Sequence, residues 1–119
     1  MRDFRELKVW EKAHRLTLAV YVAAKALPKD EVYGLTSQIR RAASSIPANI
    51  AEGCGRMSDA ELSRYCGIAF ASANELEYHL LLARDLDYLT PEAYDVLNRD
   101  TLEVKKMLAA FIVALRQQQ

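Results

Sequence analysis

The sequence predicts an all-α protein: an antiparallel up-down four-helix bundle in a single domain spanning residues 1–119. Apolar residues recur every three or four positions over four long stretches, which is the period of one helix face. The 119 residues include only 4 Gly and 3 Pro, so few residues interrupt a helix. No segment has the two-residue period of a strand. Short connections between the stretches favour antiparallel neighbours.

The first helix is predicted over about residues 7–27. Pro28 follows it directly and a charged run lies beyond, so the helix is expected to stop there. The apolar face follows spacings of three and four residues, which places its members on one side of the helix. These members are Val9, Ala13, Leu16, Val20, Ala23 and Leu27.

The second helix is predicted over about residues 34–53. Pro47 lies beside its apolar face and removes one intrahelical hydrogen bond, which normally kinks or ends a helix. Both flanks of Pro47 keep nearly the same apolar phase, so we expect a kinked but continuous helix. Gly53 and Gly55 are expected to end it, because glycine readily takes the left-handed conformation of a C-cap.

The third helix is predicted over about residues 58–87. Ser58 and Glu61 have the spacing of a capping box, in which each side chain bonds to the other residue's backbone N–H. Gly67 interrupts the helix at a cost of about 1 kcal/mol, which a helix of this length tolerates.

The fourth helix is predicted over about residues 91–116. Thr90 is expected to be its N-cap, and Pro91 occupies the first helical position, where its missing N–H costs nothing.

Composition and motifs indicate a cytoplasmic protein that is neither secreted nor membrane-bound. The N-terminus mixes charged and apolar residues, unlike a signal peptide, and no apolar run approaches the roughly 20 residues that cross a bilayer. Cys54 and Cys66 are the only cysteines, and two reduced thiols are expected in that compartment.

Candidate catalytic and metal-binding groups are sparse, and we expect no enzyme and no cofactor. His14 and His79 are the only histidines, and neither lies in a nucleophile motif. Together with the two cysteines they could bind zinc, but none is paired at a metal-ligand spacing. Glu11 and His14 match the Glu-x-x-His pattern of di-iron bundles only once, and we expect an ordinary surface ion pair at that spacing instead.

Sixteen basic and sixteen acidic residues give a net charge of zero, yet the charge is segregated. Residues 1–15, 34–56 and 99–119 each carry a net charge of +2, whereas residues 57–98 carry −6. Charged helix faces are usually just solvated. Alternatively, basic faces contact RNA or DNA phosphates or dock on acidic faces of another subunit; neutrality favours docking. The basic candidates for such a surface are Arg40, Arg41, Arg56, Lys105 and Lys106.

A polar stripe runs beside the apolar face of the second helix, at spacings of three and four residues. Serine and asparagine are not residues that helix propensity favours. The stripe is either plain solvent-exposed surface or a polar network, which would fix the kink at Pro47 or bond across a subunit boundary. Its candidate network residues are Gln38, Ser45, Asn49 and Glu52, with Arg41 between them.

The third and fourth helices carry more apolar residues than one face needs. Either the core is wide and some apolar residues are scattered on the surface, or a second interface forms a homo-oligomer, which we favour because large apolar patches are uncommon on monomers. The surplus residues are Tyr65, Ile68, Phe70, Leu81 and Leu82 on the third helix and Val96, Leu102, Ile112 and Val113 on the fourth.

The segment Ser45–Gly53 reads Ser-Ile-Pro-Ala-Asn-Ile-Ala-Glu-Gly. This string closely resembles four-helix-bundle proteins encoded in intervening sequences of bacterial 23S rRNA genes, and it is the most specific part of the resemblance. The resemblance extends over nearly the whole chain, through Phe4–Ala13, Tyr33–Ala42, Ser58–Tyr65 and Leu80–Leu89.

This resemblance implies an antiparallel four-helix bundle that assembles as a homopentameric ring, and it carries over no catalytic residues. The function that it implies is that of an assembly or binding module. The family is also similar to the accessory protein of diversity-generating retroelements. That similarity implies an alternative function, in which basic helix faces contact RNA or DNA and a reverse transcriptase.

Overall fold

The computed structural model describes residues 1–118, and within that range it contains four α-helices and no strand. The helices are α1 (Lys8–Ala24), α2 (Leu35–Cys54), α3 (Asp59–Asp85) and α4 (Pro91–Gln117), with short 3₁₀ turns at Phe4–Glu6 and Lys29–Glu31. The molecule measures 46 × 23 × 20 Å. The predicted all-α bundle is confirmed.

Each helix packs against the next one in sequence, and α4 closes the bundle against α1. The seam between α2 and α3 is the most extensive and the seam between α1 and α4 the least. Helices α1 and α3 therefore lie diagonally opposite, as do α2 and α4. The core contains the predicted apolar faces, and its fully buried large side chains include Ile39, Ile46, Ile50, Leu76, Leu80 and Leu108.

Helices α1 and α3 each end two or three residues earlier than predicted. Helix α1 ends at Ala24, and Leu27 reaches the core from the turn that follows. Helix α3 ends at Asp85. There the N–H of Tyr88 bonds to the carbonyl of Ala83 at 2.9 Å, and Asp87 takes the left-handed conformation with φ 62°, which together form a Schellman C-cap.

Helix α2 continues through Pro47 as one helix. Proline has no N–H, so the carbonyl of Ala43 loses its usual helical donor. The Thr17 hydroxyl on α1 lies 3.0 Å from that carbonyl and also 2.8 Å from the carbonyl of Ala13. A side chain of the neighbouring helix thus supplies a donor at the position that Pro47 leaves open.

The predicted left-handed glycine cap of α2 is wrong, because Gly55 has φ −79° and no described glycine has a positive φ. Gly53 instead lies inside the helix, at its closest approach to α3. A Cβ atom on Gly53 would lie 2.8 Å from Cβ of Tyr65 and 2.9 Å from Cδ1 of Leu62. Close helix packing, not backbone conformation, explains this glycine.

Side-chain caps begin α3 and α4. The hydroxyl of Ser58 accepts a bond from the N–H of Glu61 at 3.2 Å, and that of Thr90 accepts one from Ala93 at 3.1 Å. The second half of the predicted capping box does not form, because the Glu61 carboxylate bonds to Nε of Arg64 at 2.9 Å. Within residues 1–118, none of the helices is long and apolar enough to cross a bilayer.

Candidate functional site

Half-buried polar side chains join α2 to α3 near the middle of the bundle. The hydroxyls of Ser45 and Ser72 are 2.7 Å apart. Asn49 donates from Nδ2 to the carbonyl of Ser45 at 2.8 Å and to its hydroxyl at 3.0 Å. Ser45, Asn49 and Ser72 form what we call the polar seam, which ties two helices of the same chain together. Sequence reasoning missed Ser72, whose only signal is a polar residue among the small residues of α3.

The other two residues predicted for this network lie outside the polar seam. Gln38 is exposed and makes no side-chain hydrogen bond in the described part of the chain. Glu52 is exposed and lies 3.9 Å from Nη2 of Arg56. The polar seam also gives no hydrogen bond to the Ala43 carbonyl, which Pro47 leaves without a helical donor. The donor to that carbonyl is Thr17 on α1.

An open groove of about 530 Å³ lies beside the polar seam, between α2 and α3. Arg41, Ser44, Ser45 and Glu75 supply its polar lining. Oε2 of Glu75 is 3.2 Å from Nε2 of His79, whose other ring nitrogen is buried without a partner among residues 1–118. The groove therefore offers both charge signs and hydroxyl groups to a partner.

Three of the five basic candidates are engaged by neighbouring side chains. The Arg40 guanidinium lies 5.4 Å from the Tyr21 ring centroid, on the α1 side of α2. Arg56 donates to the Tyr65 hydroxyl at 2.7 Å. Lys105 on α4 donates to Oε1 of Glu77 on α3, also at 2.7 Å.

Arg41 and Lys106 are exposed and form no ion pair with the residues that the structure describes. Arg41 lies on α2 and Lys106 on α4, which are diagonally opposite in the bundle. The five basic candidates are therefore distributed around the molecule instead of forming one continuous surface.

The surplus apolar residues divide into two groups. Phe70, Leu81, Leu82 and Ile112 are half-buried against the core, so they widen it. Tyr65 is also half-buried, and its hydroxyl accepts a bond from Arg56. Ile68, Val96, Leu102 and Val113 are 40–54% exposed.

An apolar opening lies between α1 and α4. This α1–α4 groove has a volume of about 500 Å³ and an almost wholly apolar lining. Val22 on its rim is 65% exposed and Val96 is 45% exposed, and Leu18 close by on α1 is 55% exposed. The lining residues are Ala19, Val22, Ala23, Ala93, Val96 and Leu97.

The groups considered for metal binding or catalysis do not come together as one cluster in residues 1–118. His14 is exposed and stacks on Trp10 with ring centroids 5.0 Å apart. Cys54 and Cys66 are free and buried, and burial raises the pKa of both thiols, that of Cys66 to about 12. Within residues 1–118, no three His, Cys, Asp or Glu side chains are grouped as a metal site.

The comparisons with known proteins agree with this architecture. Residues 5–110 match the family model for the 23S rRNA-intervening sequence protein. A solved structure of a protein of unknown function, from the S23 ribosomal protein family of Bacteroides thetaiotaomicron, is 32% identical and has a TM-score of 0.81. The likeness covers 87% of this chain and 97% of that one. No curated protein matches the sequence. Since the family match spans all four helices, the chain belongs to the 23S rRNA-intervening sequence protein family.

Proposed function

We propose that this protein is a non-enzymatic homo-oligomer, pentameric as its family resemblance implies, that acts as an assembly and binding module. The α1–α4 groove is the observation that carries the proposal. It combines an almost wholly apolar lining with exposed valines on both helices. Apolar patches of this kind on soluble proteins mark interaction sites more often than bare surface.

The position of the α1–α4 groove supports contact between identical subunits arranged head to tail. The groove lies on one side of the bundle, between α1 and α4, so a neighbouring copy can cover it without contacting the polar groove between α2 and α3. When one surface of a subunit binds a different surface of the next copy, the copies close into a ring if the rotation between them permits. Burying the side chain of Val22 would contribute about 1.5–3 kcal/mol per contact.

Native mass spectrometry at micromolar concentration tests this assembly. We expect one oligomeric mass for the wild type and a monomer for Val22→Glu, because a carboxylate in an apolar interface is costly to desolvate. Ala109→Glu is the matched control, since Ala109 is exposed on α4, does not line the groove and is not one of the surplus apolar residues, so its substitution should leave the mass unchanged. Circular dichroism checks that both variants remain helical. A monomeric wild type would overturn the proposal.

A second candidate function is nucleic-acid binding by an accessory protein that also contacts a reverse transcriptase. The exposed, unpaired guanidinium of Arg41 favours it, because a free cation can contact phosphate without breaking an ion pair. Fluorescence anisotropy with RNA and DNA oligonucleotides tests it. Binding should weaken steeply with salt and on Arg41→Glu, whereas absent or salt-insensitive binding would exclude this function. A reverse transcriptase gene beside the protein's own gene would support the second partner.

A further inference from the structure

We propose that a groove at the turn between α1 and α2 binds a phosphate group. This turn groove has a volume of about 310 Å³ and lies between the end of α1, the 3₁₀ turn at Lys29–Glu31 and the first half of α2. Its polar lining consists of Lys25, Lys29, Thr36 and Arg40, and no acidic residue lines it. The site does not depend on the proposed assembly.

The three cations of the turn groove lack the neutralising partners that most cations of this chain have. Lys25, Lys29 and Arg40 form no ion pair with any of residues 1–118. The nearest acids in sequence do not line the groove: Asp30 is exposed, and the Glu31 carboxylate accepts bonds from the Leu35 N–H and the Tyr88 hydroxyl. The lining of the groove therefore carries three positive charges and no negative one, and a lining of one charge sign attracts an anion.

Two of the donors are already withdrawn from water without a partner. Thr36 is 5% exposed, and neither its hydroxyl nor Nε of Arg40 has a hydrogen-bond partner among the described residues. Buried donors of this kind are rare and costly in folded proteins. The side chains of the groove now cover both atoms, so a small shift of these side chains would bring a phosphate within reach of them. A phosphate offers several acceptor oxygens that pair well with guanidinium and hydroxyl donors.

Arg40 is held in place before any ligand arrives. Its guanidinium packs 5.4 Å from the ring centroid of Tyr21, and such stacking limits the side-chain freedom that binding would otherwise cost. Lys25 and Lys29 sit on the turn on the other side of the groove. A planar donor fixed on α2 and two flexible ammonium groups suit a tetrahedral oxyanion with several charges.

Isothermal titration with inorganic pyrophosphate at fixed ionic strength tests the site in the full chain. We expect saturable binding that weakens about tenfold in Arg40→Gln, the loss of one charge-assisted hydrogen bond. Lys106→Gln is the matched control, because it removes an exposed, unpaired cation on the diagonally opposite helix and should not change the affinity. Absence of binding, or equal weakening in both variants, would overturn the proposal.

Thr36→Val keeps the test decisive if Arg40→Gln perturbs folding. This substitution preserves the side-chain shape and removes an unpaired hydroxyl, so thermal stability should stay the same or rise while pyrophosphate affinity falls several-fold. An unchanged affinity would contradict the role of Thr36 and with it the site.

The phosphate could come from a small molecule or from a nucleic-acid backbone, and a competition experiment distinguishes them. If pyrophosphate displaces a labelled single-stranded oligonucleotide from the wild type but not from Arg40→Gln, the site binds a backbone phosphate. Pyrophosphate binding without any oligonucleotide binding would identify a small phosphorylated ligand, and it would leave the site intact while excluding the nucleic-acid function.

Discussion

At the scale of single residues, Thr17 shows how one helix completes the hydrogen bonding of another. Its hydroxyl is buried and lies near two carbonyls, one on its own helix and one, that of Ala43, on α2. The second carbonyl is the one that Pro47 deprives of a helical donor. A proline in the middle of a buried helix is therefore tolerated because α1 carries a hydroxyl at this level.

Thr17→Val should lower the free energy of unfolding by about 1–3 kcal/mol, because the Ala43 carbonyl stays buried without a donor. Chemical denaturation measures the change, and Thr17→Ser is the control that keeps the hydroxyl. In a Pro47→Ala background the restored backbone N–H should reduce the cost of Thr17→Val. Simple additivity of the two substitutions would show that the hydroxyl does not serve this carbonyl.

Cys54 and Cys66 are expected to be inert in the folded protein. Desolvation by burial raises the pKa of Cys66 to about 12, and it raises the pKa of Cys54 as well. Because the thiolate is the reactive form, a thiol reagent near neutral pH should label neither cysteine until urea unfolds the chain. Rapid labelling of the native protein would contradict this.

The same pKa shift makes stability depend on pH at the alkaline end. The folded pKa of Cys66 lies above its unfolded value of 9.0, so its thiol contributes stability below about pH 9, and that contribution is lost as pH rises toward 12. The free energy of unfolding should therefore fall over this range, and less steeply in Cys66→Ala.

At the scale of helices, the α2–α3 seam depends on small residues where the backbones approach. Ala69, Ala73 and Cys66 on α3 are fully buried, and Gly53 on α2 meets Tyr65 and its neighbours with no room for a methyl group. Small residues at facing positions let helices pack closely. The polar seam lies along the same contact, so one seam provides both close packing and specific hydrogen bonds.

Two glycines should respond oppositely to alanine. Gly53→Ala should destabilise the protein by about 1–3 kcal/mol, because the new methyl overlaps the α3 side chains. Gly67→Ala should stabilise it by about 0.5–1 kcal/mol through helix propensity, since a Cβ there meets nothing within 4 Å. Thermal unfolding of both variants checks the pair; equal shifts of the same sign would contradict the packing argument.

At the scale of the whole molecule, the segregated charges partly pair within one chain. Lys105 on α4 bonds to Glu77 on α3, Lys12 on α1 lies 2.9 Å from Glu103 on α4, and Arg2 pairs with Asp59. Basic segments thus meet acidic partners without a second subunit or a phosphate. The sequence interpretation considered solvated faces and contacts with other molecules but not pairing within the chain, because segment charges do not reveal which faces adjoin.

Lys105→Gln should lower the free energy of unfolding by about 1 kcal/mol, and Lys12→Gln by less. The Lys105 and Glu77 side chains are 21% and 36% exposed, against 46% and 45% for Lys12 and Glu103, so solvent screens the second pair more strongly. Denaturation at low and high salt measures both. A larger cost for Lys12→Gln would contradict this ranking.

The sequence by itself determined the four helices and their caps at Ser58 and Thr90, because apolar period and capping act over a few neighbouring residues. It also singled out Ser45 and Asn49, which share a helix face, but left open whether that face is solvated or forms a network. Only the tertiary structure decided that Gly53 is a packing glycine, and that Gln38 and Glu52 lie outside the polar seam. Only it placed Thr17 at the Pro47 site and gathered Lys25, Lys29 and Arg40 around one groove. Those relations depend on how each helix is rotated and shifted against its neighbours, which the packing of the whole core settles and no local pattern encodes.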